Sequence, residues 1–342
     1  MRLIRPITLS GLACWLPKTA VTVATAIRAG SLDAEDAADL GYRQLPVERE
    51  LAPPEMAVLA GREAMSRAGV EPLDVGLLLH TWMFHQGHDL WSPPHYIAGQ
   101  LDLHDALPIG VQQVCNGSAA AIELAAARLF ADRSLRHAVI TTADRFLPPG
   151  FDRWRGDYGV GYGDGATAVV LDAADDRPAE LTLLSIATLA APELERMHRG
   201  DDGFSPAPGW HSIPLDIRRT KKAYLSAYGM ESFAKVSRGA IARVIRACLT
   251  DANVHPDDDR LRWVAMPRVG RAVLEQAYRP AVAAVTGTAL LDLSADTGHL
   301  GAGDALANLA GLSHQDLLRP GELAMVLNAG AGFTWSCLLV RR

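Results

Sequence analysis

Cysteine is scarce in this chain, which has four, scattered at positions 14, 115, 248 and 337 without a CxxC pair. Such spacing provides neither a disulfide framework nor a cysteine-based zinc site, so a reducing, cytoplasmic environment is expected. The N-terminal residues 1–6 lack the apolar core of a signal peptide. No secretory route is therefore predicted.

Long apolar runs and an extended basic patch are missing as well. No run approaches the roughly 20 apolar residues that span a bilayer, so no membrane segment is expected. The formal net charge is -6, and no run of Lys or Arg supplies a basic footprint for nucleic acid. With 342 residues, 49% of them hydrophobic, the chain can bury a large core and form two lobes.

The second half of the chain repeats the elements of the first in a similar order. Covered apolar runs such as Val75–His80 alternate with helical segments, which indicates a layered α/β architecture. We therefore predict an N-terminal half, 1–173, that carries Cys115 and a C-terminal half, 174–342, that carries a loop opening at Gly298. A pseudo-two-fold axis would bring these two helix starts together.

Cys115 lies at the joint between an apolar, strand-like run and an Ala-rich helix, Ser118 to Ala131. A thiol at a helix N-terminus feels unpaired N–H groups and the positive end of the helix dipole, which favour thiolate over thiol. That position suits a nucleophile. The alternative is a small buried apolar residue, as most free cysteines are, and position alone leaves both open.

His299 and Asp304 lie in the loop that opens the corresponding helix of the second half. The flanking Gly298 and Gly301 allow unusual backbone angles or close approach to a ligand. Taken separately, a loop histidine bonded to backbone and an acidic residue in a first helical turn are the simpler interpretations. Together with Cys115 they would form a nucleophile, a base and an orienting carboxylate.

Other motifs point less clearly to chemistry. The run Gly159–Ala166 fits a phosphate loop poorly, because no Lys-Ser/Thr follows it, and a tight turn into a central strand is predicted. A histidine cluster lacks the Cys or Glu spacing of zinc sites, so no metal ligand is assigned. A pocket wall or subunit contact is predicted for its members, which are His80, His85, His88 and His95.

Two groups of loop charges complete the candidates. Solvated loop carboxylates are predicted at Asp157, Asp201 and Asp202. A short basic run can be either a solvated helix start or a phosphate contact. Its members are Arg218, Arg219, Lys221 and Lys222.

Three motifs in order resemble the thiolase superfamily, and specifically ketoacyl-ACP synthase III. Val114-Cys115-Asn116-Gly117 looks like the nucleophile turn of that family. Tyr162–Ala166 is similar to its FGDGAGA signature, and Ala329–Trp335 to its GGGFTW closing motif. The resemblance covers nearly the whole chain and implies a five-layer αβαβα fold of two related halves, assembled as a homodimer.

The chain departs from that family at two positions. The family histidine of Pro-His-Gln-Ala-Asn falls on Met266, and the family Gly-Asn-Thr-Ser is replaced by Gly298-His299-Leu300-Gly301. The family His–Asn pair polarises a malonyl thioester during decarboxylation, so carbon–carbon bond formation should be crippled. Cys115 with this loop instead resembles ketosynthase-like acyltransferases of antibiotic pathways, of the cervimycin malonyltransferase type, which use a Cys-His-Asp triad.

This resemblance implies an O-acyltransferase. Cys115 would take a short acyl group, malonyl favoured, from a CoA or acyl-carrier-protein thioester and pass it to a hydroxyl of a natural product, such as a sugar-bearing polyketide. His299 would remove the proton of that hydroxyl, and Asp304 would hold the imidazole. No cofactor beyond the acyl donor is implied.

The resemblance also implies further site residues. Backbone N–H groups of Cys115 and Ala331 would hold the oxyanion, and Arg155 and Phe233 would lie near CoA. The nearest alternative function is a priming ketosynthase that condenses a starter acyl unit with malonyl-ACP. A different class of alternative is a non-catalytic partner subunit, against which the presence of Cys115 counts.

Overall fold

The structure, a computed structural model, describes residues 3–172 and 179–342. The predicted boundary between 1–173 and 174–342 falls on residues outside this described part. The strands are β1 Ile7–Trp15, β2 Ala20–Thr22, β3 Gln44–Pro46, β4 Val75–Thr81, β5 Leu107–Val111, β6 His137–Asp144, β7 Gly165–Asp172, β8 Leu181–Ala190, β9 Leu261–Ala265, β10 Leu290–Leu291, β11 Leu323–Gly330 and β12 Thr334–Arg341.

The helices alternate with these strands. They are α1 Val23–Arg28, α2 Ala34–Leu40, α3 Pro53–Ala68, α4 Pro93–Gln100, α5 Gly117–Ala131, α6 Arg196–Arg199, α7 Ile217–Tyr228, α8 Met230–Asp251, α9 Arg271–Val273, α10 Arg279–Ala283 and α11 Asp304–His314. A π-helical segment, Leu274–Tyr278, joins α9 to α10. Short 3-10 turns, Val114–Asn116 and Gly301–Gly303, precede α5 and α11.

The main sheet repeats the same order of strands on its two sides. Its order is β10-β9-β11-β12-β8-β1-β7-β6-β4-β5. Counted outwards from the middle, β1 corresponds to β8, β7 to β12, β6 to β11, β4 to β9 and β5 to β10. The two sides meet where β1 and β8 pair antiparallel. This matching order confirms the internal repeat that the sequence predicts.

Three hydrophobic clusters separate the layers. One lies where α3 and α4 cover one face of the first half's strands, and another lies under α8 on the second half. Between them, α5 and α11 contribute to a shared central cluster. The short alanine side chains of α5 let it pack closely in this central layer. The predicted five-layer αβαβα arrangement is therefore confirmed.

Two segments differ from the sequence prediction. The sequence pattern from about Lys222 to Thr250 predicts one helix. The structure divides this region into α7 and α8, because Gly229 between them takes φ 79° and ψ 152°. The acidic, Ala-rich composition of residues 19–49 predicts helix with loops, but this region also contains the two-stranded β2–β3 sheet. Within the described residues, no helix is both long and apolar enough to cross a membrane.

Candidate active site

Cys115 occupies the 3-10 turn directly before α5. The preceding Val114 takes φ 49°, a left-handed conformation that β-branched residues rarely adopt. At Gly117 any Cβ would collide with the hydroxyl of Thr81, so glycine is required where α5 starts against β4. The thiol is half-buried, and its sulfur lies 3.8 Å from the sulfur of Met83.

His299 and Asp304 form a buried pair. Nδ1 of His299 lies 2.6 Å from Oδ2 of Asp304. The carboxylate also accepts hydrogen bonds from the backbone N–H of Leu300 at 2.8 Å and of Arg268 at 3.2 Å. Asp304 is 1% exposed, so its partners are these protein groups and not solvent. Since Asp304 occupies Nδ1, the other ring nitrogen is left for a different partner.

The His299 ring neighbours Cys115 across the junction of the two halves. A Cβ on Gly117, two residues after Cys115, would lie 3.2 Å from the Cβ of Ala302 in the facing turn. Burial disfavours the charged imidazole, but Coulombic attraction to Asp304 and to Cys115 outweighs it, and the pKa of His299 is raised well above its usual value. The structure thus brings Cys115, His299 and Asp304 together.

The glycine run packs on the loop of His299. The backbone N–H of His299 donates to the carbonyl of Gly161, and the N–H of Gly163 donates to the carbonyl of His299, both over 2.9 Å. A Cβ at Gly163 would collide with the carbonyl oxygen of Thr297. The ring of Tyr162 meets the imidazole edge-on at 5.2 Å. This run supports the histidine and leads into β7.

Ala331 lies in the turn between β11 and β12, next to the turn of Cys115. The neighbouring Gly330 packs so closely that a Cβ there would lie 2.6 Å from the backbone nitrogen of Asn116. The side chain of Asn116 in turn donates to the hydroxyl of Ser336 over 2.9 Å. The closing motif of the chain therefore packs against the nucleophile turn.

The two residues expected near CoA have separate surroundings. Phe233, on α8, lies 5.2 Å from the ring of Phe333 in the closing motif. Arg155 is exposed and donates to the carbonyl of Gly30 over 2.6 Å. Their predicted role in binding CoA stays a prediction.

Asp144, at the end of β6, is a buried site residue that the sequence reasoning missed. Its Oδ1 accepts from the N–H groups of Met83 and Phe84 at 3.0 and 2.9 Å, and its Oδ2 from that of Ala302 at 2.9 Å. Burial raises its pKa to about 7, although the three amides and His299 oppose the shift. In the sequence, Asp144 is marked by being a single carboxylate at the end of a buried strand.

Asp157 was predicted to be solvated, and this prediction is wrong. It is 3% exposed and accepts from the hydroxyl of Tyr162 at 2.9 Å, while Nζ of Lys221 lies 2.5 Å away. Burying a carboxylate that has no partner is unfavourable in free energy, and the hydrogen bond from Tyr162 and the contact with Lys221 offset that cost. The basic run is likewise paired with carboxylates, as Arg218–Asp36, Arg219–Asp202 and Lys221–Asp157.

The four histidines of the predicted cluster lie in different environments. His80 is buried in β4 between Thr141 and Gln86, so a pocket wall or subunit contact is wrong for this residue. His85, His88 and His95 are exposed. Within residues 3–172 and 179–342, no group of three or more His, Cys, Asp or Glu side chains could hold a metal ion.

Comparison with known proteins connects this geometry to a family. The family model for 3-oxoacyl-[acyl-carrier-protein] synthase III matches residues 109–188, and the model for its C-terminal part matches 249–342. The β-ketoacyl-[acyl-carrier-protein] synthase III of Rhizorhabdus wittichii is 26% identical over 301 residues, 84% of this chain and 83% of that protein. That of Rhizobium rhizogenes is 28% identical over 286 residues, 82% of both.

Solved structures agree. The acyltransferase ChlB3 is 32% identical with a TM-score of 0.87, over 98% of this chain and 97% of that chain. The 3-oxoacyl-[acyl-carrier-protein] synthase III of Aquifex aeolicus VF5 has a TM-score of 0.79 at 18% identity, over 98% and 100%, and is similar in fold. The chain therefore belongs to the ketoacyl-ACP synthase III-like group of the thiolase superfamily and is an acyltransferase.

Proposed function

We propose that the protein moves a short acyl group, malonyl favoured, from a CoA or acyl-carrier-protein thioester to a hydroxyl group through an acyl-Cys115 intermediate. The acceptor is a natural-product alcohol of polyketide type, following the resemblance to ketosynthase-like acyltransferases. The observation that carries the proposal is His299, whose Nδ1 binds buried Asp304 at 2.6 Å while its ring neighbours Cys115.

The first half-reaction acylates the enzyme. The Cys115 thiolate attacks the thioester carbonyl carbon, and the resulting oxyanion accepts hydrogen bonds from the backbone N–H groups of Cys115 and Ala331. Collapse of this intermediate expels the donor thiolate, which takes a proton from protonated His299. The products are acyl-Cys115 and free CoA or carrier-protein thiol.

The second half-reaction forms the ester. Acylation replaces the charged sulfur by a neutral thioester, which removes one of the attractions that raise the pKa of His299. The ring, which gave its proton to the donor thiolate, is therefore neutral and removes the proton of the acceptor hydroxyl. The alkoxide oxygen attacks the acyl carbon, the Cys115 thiolate leaves, and His299 is again protonated beside Asp304.

Ester formation is favoured over condensation by the side chain of Met266. It occupies the position of the family histidine, is 2% exposed, and has a thioether that donates no hydrogen bond to a thioester carbonyl. The names of the curated relatives favour the alternative, a priming ketosynthase that condenses a starter with malonyl-ACP. Release of carbon dioxide from malonyl donors distinguishes the two.

Two further features of the proposal concern assembly and location. A homodimer is supported by β5, which lies at the edge of the main sheet with Leu107 and Ile109 exposed. A cytoplasmic location is supported by the cysteines, all four of which are free thiols. Cys248 and Cys337 keep their thiols although they interact side by side in the core.

Intact-protein mass spectrometry after incubation with malonyl-CoA tests the nucleophile. We expect a malonyl adduct on the wild type and on Cys14→Ala, which removes another free thiol, and none on Cys115→Ala. His299→Ala should retain some adduct and fail to turn over with an acceptor alcohol. An adduct that survives in Cys115→Ala refutes the intermediate, and normal turnover by His299→Ala removes that ring from the mechanism.

A further inference from the structure

Arg268, in the loop after β9, has a buried side chain that takes no part in the two half-reactions. It is 4% exposed, and its Nε has no hydrogen-bond partner. Within residues 3–172 and 179–342, its guanidinium makes no ion pair with a carboxylate. A guanidinium keeps its proton in proteins, and burying a charge without a counter-ion is unfavourable in free energy. Stability of the fold is therefore a weak reason for an arginine at this position.

The guanidinium holds the segment that leads into His299. Nη1 of Arg268 donates to the carbonyl of Leu293 over 2.7 Å and to the hydroxyl of Thr297 over 2.6 Å. The Thr297 hydroxyl directs its own proton to the carbonyl of Gly298, 2.9 Å away. Gly298 directly precedes His299, so the side chain of Arg268 fixes the backbone at the position before the imidazole.

The backbone of the same residue holds Asp304. The N–H of Arg268 donates over 3.2 Å to Oδ2 of Asp304, the oxygen that also faces Nδ1 of His299. The carbonyl of Arg268 accepts from the hydroxyl of Tyr42, likewise over 3.2 Å. Arg268 therefore supports both members of the buried pair, the approach to His299 through its side chain and Asp304 through its backbone.

The charge of Arg268 lies close to that of Asp304. Burial is the main cause of the raised pKa of Tyr42, the charge of Asp304 raises this pKa further, and the charge of Arg268 lowers it. Both charges therefore act on the same hydroxyl. When His299 is neutral, at the acyl-enzyme stage, Asp304 is a buried carboxylate beside an uncharged ring. Arg268 still provides a positive charge nearby, which offsets part of the cost of that buried anion.

We propose that Arg268 is a positioning residue for acyl transfer, which keeps the His299 ring and the Asp304 carboxylate in place beside Cys115 in both half-reactions. It acts through the catalytic residues and does not touch the substrate. This inference rests on the proposed acyl transfer through Cys115 and His299, for which it names the residue that supports the His–Asp pair.

Alkylation of Cys115 by iodoacetamide at pH 7 tests this role without an acyl donor, because the rate follows the thiolate that the imidazolium stabilises. Peptide mass spectrometry assigns the alkylated thiol. Arg268→Met should slow the reaction by roughly tenfold, towards the rate of His299→Ala. Arg268→Lys should stay within about twofold of the wild type, because both hydrogen bonds of the guanidinium leave from one nitrogen and an ammonium can replace it.

Arg342→Met is the matched control and should be alkylated like the wild type. Nη1 of Arg342 also donates to one carbonyl and one hydroxyl, those of Glu180 and Ser313, but it lies beyond the end of β12. Should Arg268→Met fail to fold, Thr297→Val removes the hydroxyl that links the guanidinium to Gly298. This variant should slow alkylation too, and an unchanged rate would then refute the positioning role.

Two further results overturn the inference: alkylation of Arg268→Met at the wild-type rate, or Arg268→Lys as slow as Arg268→Met. An equal slowing in Arg342→Met would likewise reduce Arg268 to a structural role. Adduct formation with malonyl-CoA is measured on the same samples. Its absence from the wild type refutes acyl transfer, whereas a normal adduct in the wild type together with unchanged alkylation of Arg268→Met refutes the positioning role alone.

Discussion

The side-chain amide of Asn328 donates a hydrogen bond to the backbone carbonyl of Cys115 over 3.0 Å. Asn328 belongs to β11, in the second half of the chain, and is 1% exposed. The same amide lies 3.3 Å from Oδ1 of Asn116. The nucleophile turn of the first half is therefore held by a buried side chain of the second, and the active site exists only when both halves are packed.

We expect Asn328→Leu to lower the free energy of unfolding by about 1–3 kcal/mol, because it leaves a buried carbonyl without its donor. It should also slow acylation of Cys115 by loosening the turn. Urea unfolding and adduct formation with malonyl-CoA measure the two effects. Asn308→Leu is the matched control, since the buried Asn308 amide binds the carbonyl of Met266 instead. Equal acylation rates in both variants would contradict a specific role for Asn328.

Asp304→Asn should reduce acyl transfer by roughly two to four orders of magnitude with the fold intact, because an amide no longer favours the protonated ring or its tautomer. The rate of ester formation and the melting temperature check this expectation. Asp296→Asn, at a carboxylate that pairs with Arg43 on the surface, is the control. Unchanged transfer in Asp304→Asn would leave that residue a structural role only.

The pKa of His299 should fall when Cys115 is replaced by Ser, because one of the two attractions that raise it is removed while burial remains. Titration of the ring nitrogens by NMR measures the change directly. The usual pKa of a histidine is 6.5, and a raised pKa keeps the proton on the ring above that pH. The ring of His299 should therefore lose its proton at a higher pH in the wild type than in the variant. Identical titration in both proteins would show that the sulfur does not act on the ring.

Asp144 should make the protein less stable as the pH rises from about 4 to 7. Its pKa is about 7 in the folded state and near 3.8 when unfolded, so the folded state retains a proton that the unfolded state has already lost. The stabilisation that this bound proton contributes is complete below the pKa of the unfolded state. It is lost as the pH rises through the pKa of the folded state. Asp144→Asn should flatten this part of the stability profile, measured by urea unfolding at several pH values. A slope equal to that of the wild type would contradict the raised pKa.

Gly301→Ala should destabilise the protein strongly, because Gly301 takes φ 63° and a Cβ there would collide with the carboxylate of Asp144. Gly30→Ala separates the two causes, since Gly30 takes φ 69° in open space. That variant should lose only the about 1–2 kcal/mol of a left-handed alanine. Thermal unfolding of both variants provides the comparison, and equal losses would show that Asp144 yields to the new methyl group.

Much of the fold follows from local sequence patterns. A proline at the first helical position and a glycine just past the end predict a helix from Pro53 to Ala68. These are the bounds of α3, because both residues act through their own backbone angles. The strand β4 and the repeated order of strands also follow from the apolar runs of the sequence. The break at Gly229 does not follow from the sequence, since a glycine within a helical pattern does not reveal its own φ and ψ.

Less of the site follows from such patterns. Cys115, His299 and Asp304 were recognisable as candidates because each lies at a helix start of its own repeat. The burial of Asp157 and the anchoring of Asp144 were not recognisable, because their partners lie on other segments, such as Lys221 and Ala302. A carboxylate in a loop has the same local sequence signature whether it is solvated or buried.

By itself the sequence determined which side chains are available for chemistry and which backbone positions require glycine, since both are properties of single residues and their immediate neighbours. Only the tertiary structure decided that the thiol of Cys115 and the ring of His299 share one site. It also decided that Asn328 of β11 holds the nucleophile turn. The physical reason is that electrostatic attraction and hydrogen bonding act over a few ångströms, and the packing of the two halves alone brings residues so distant in sequence within that range.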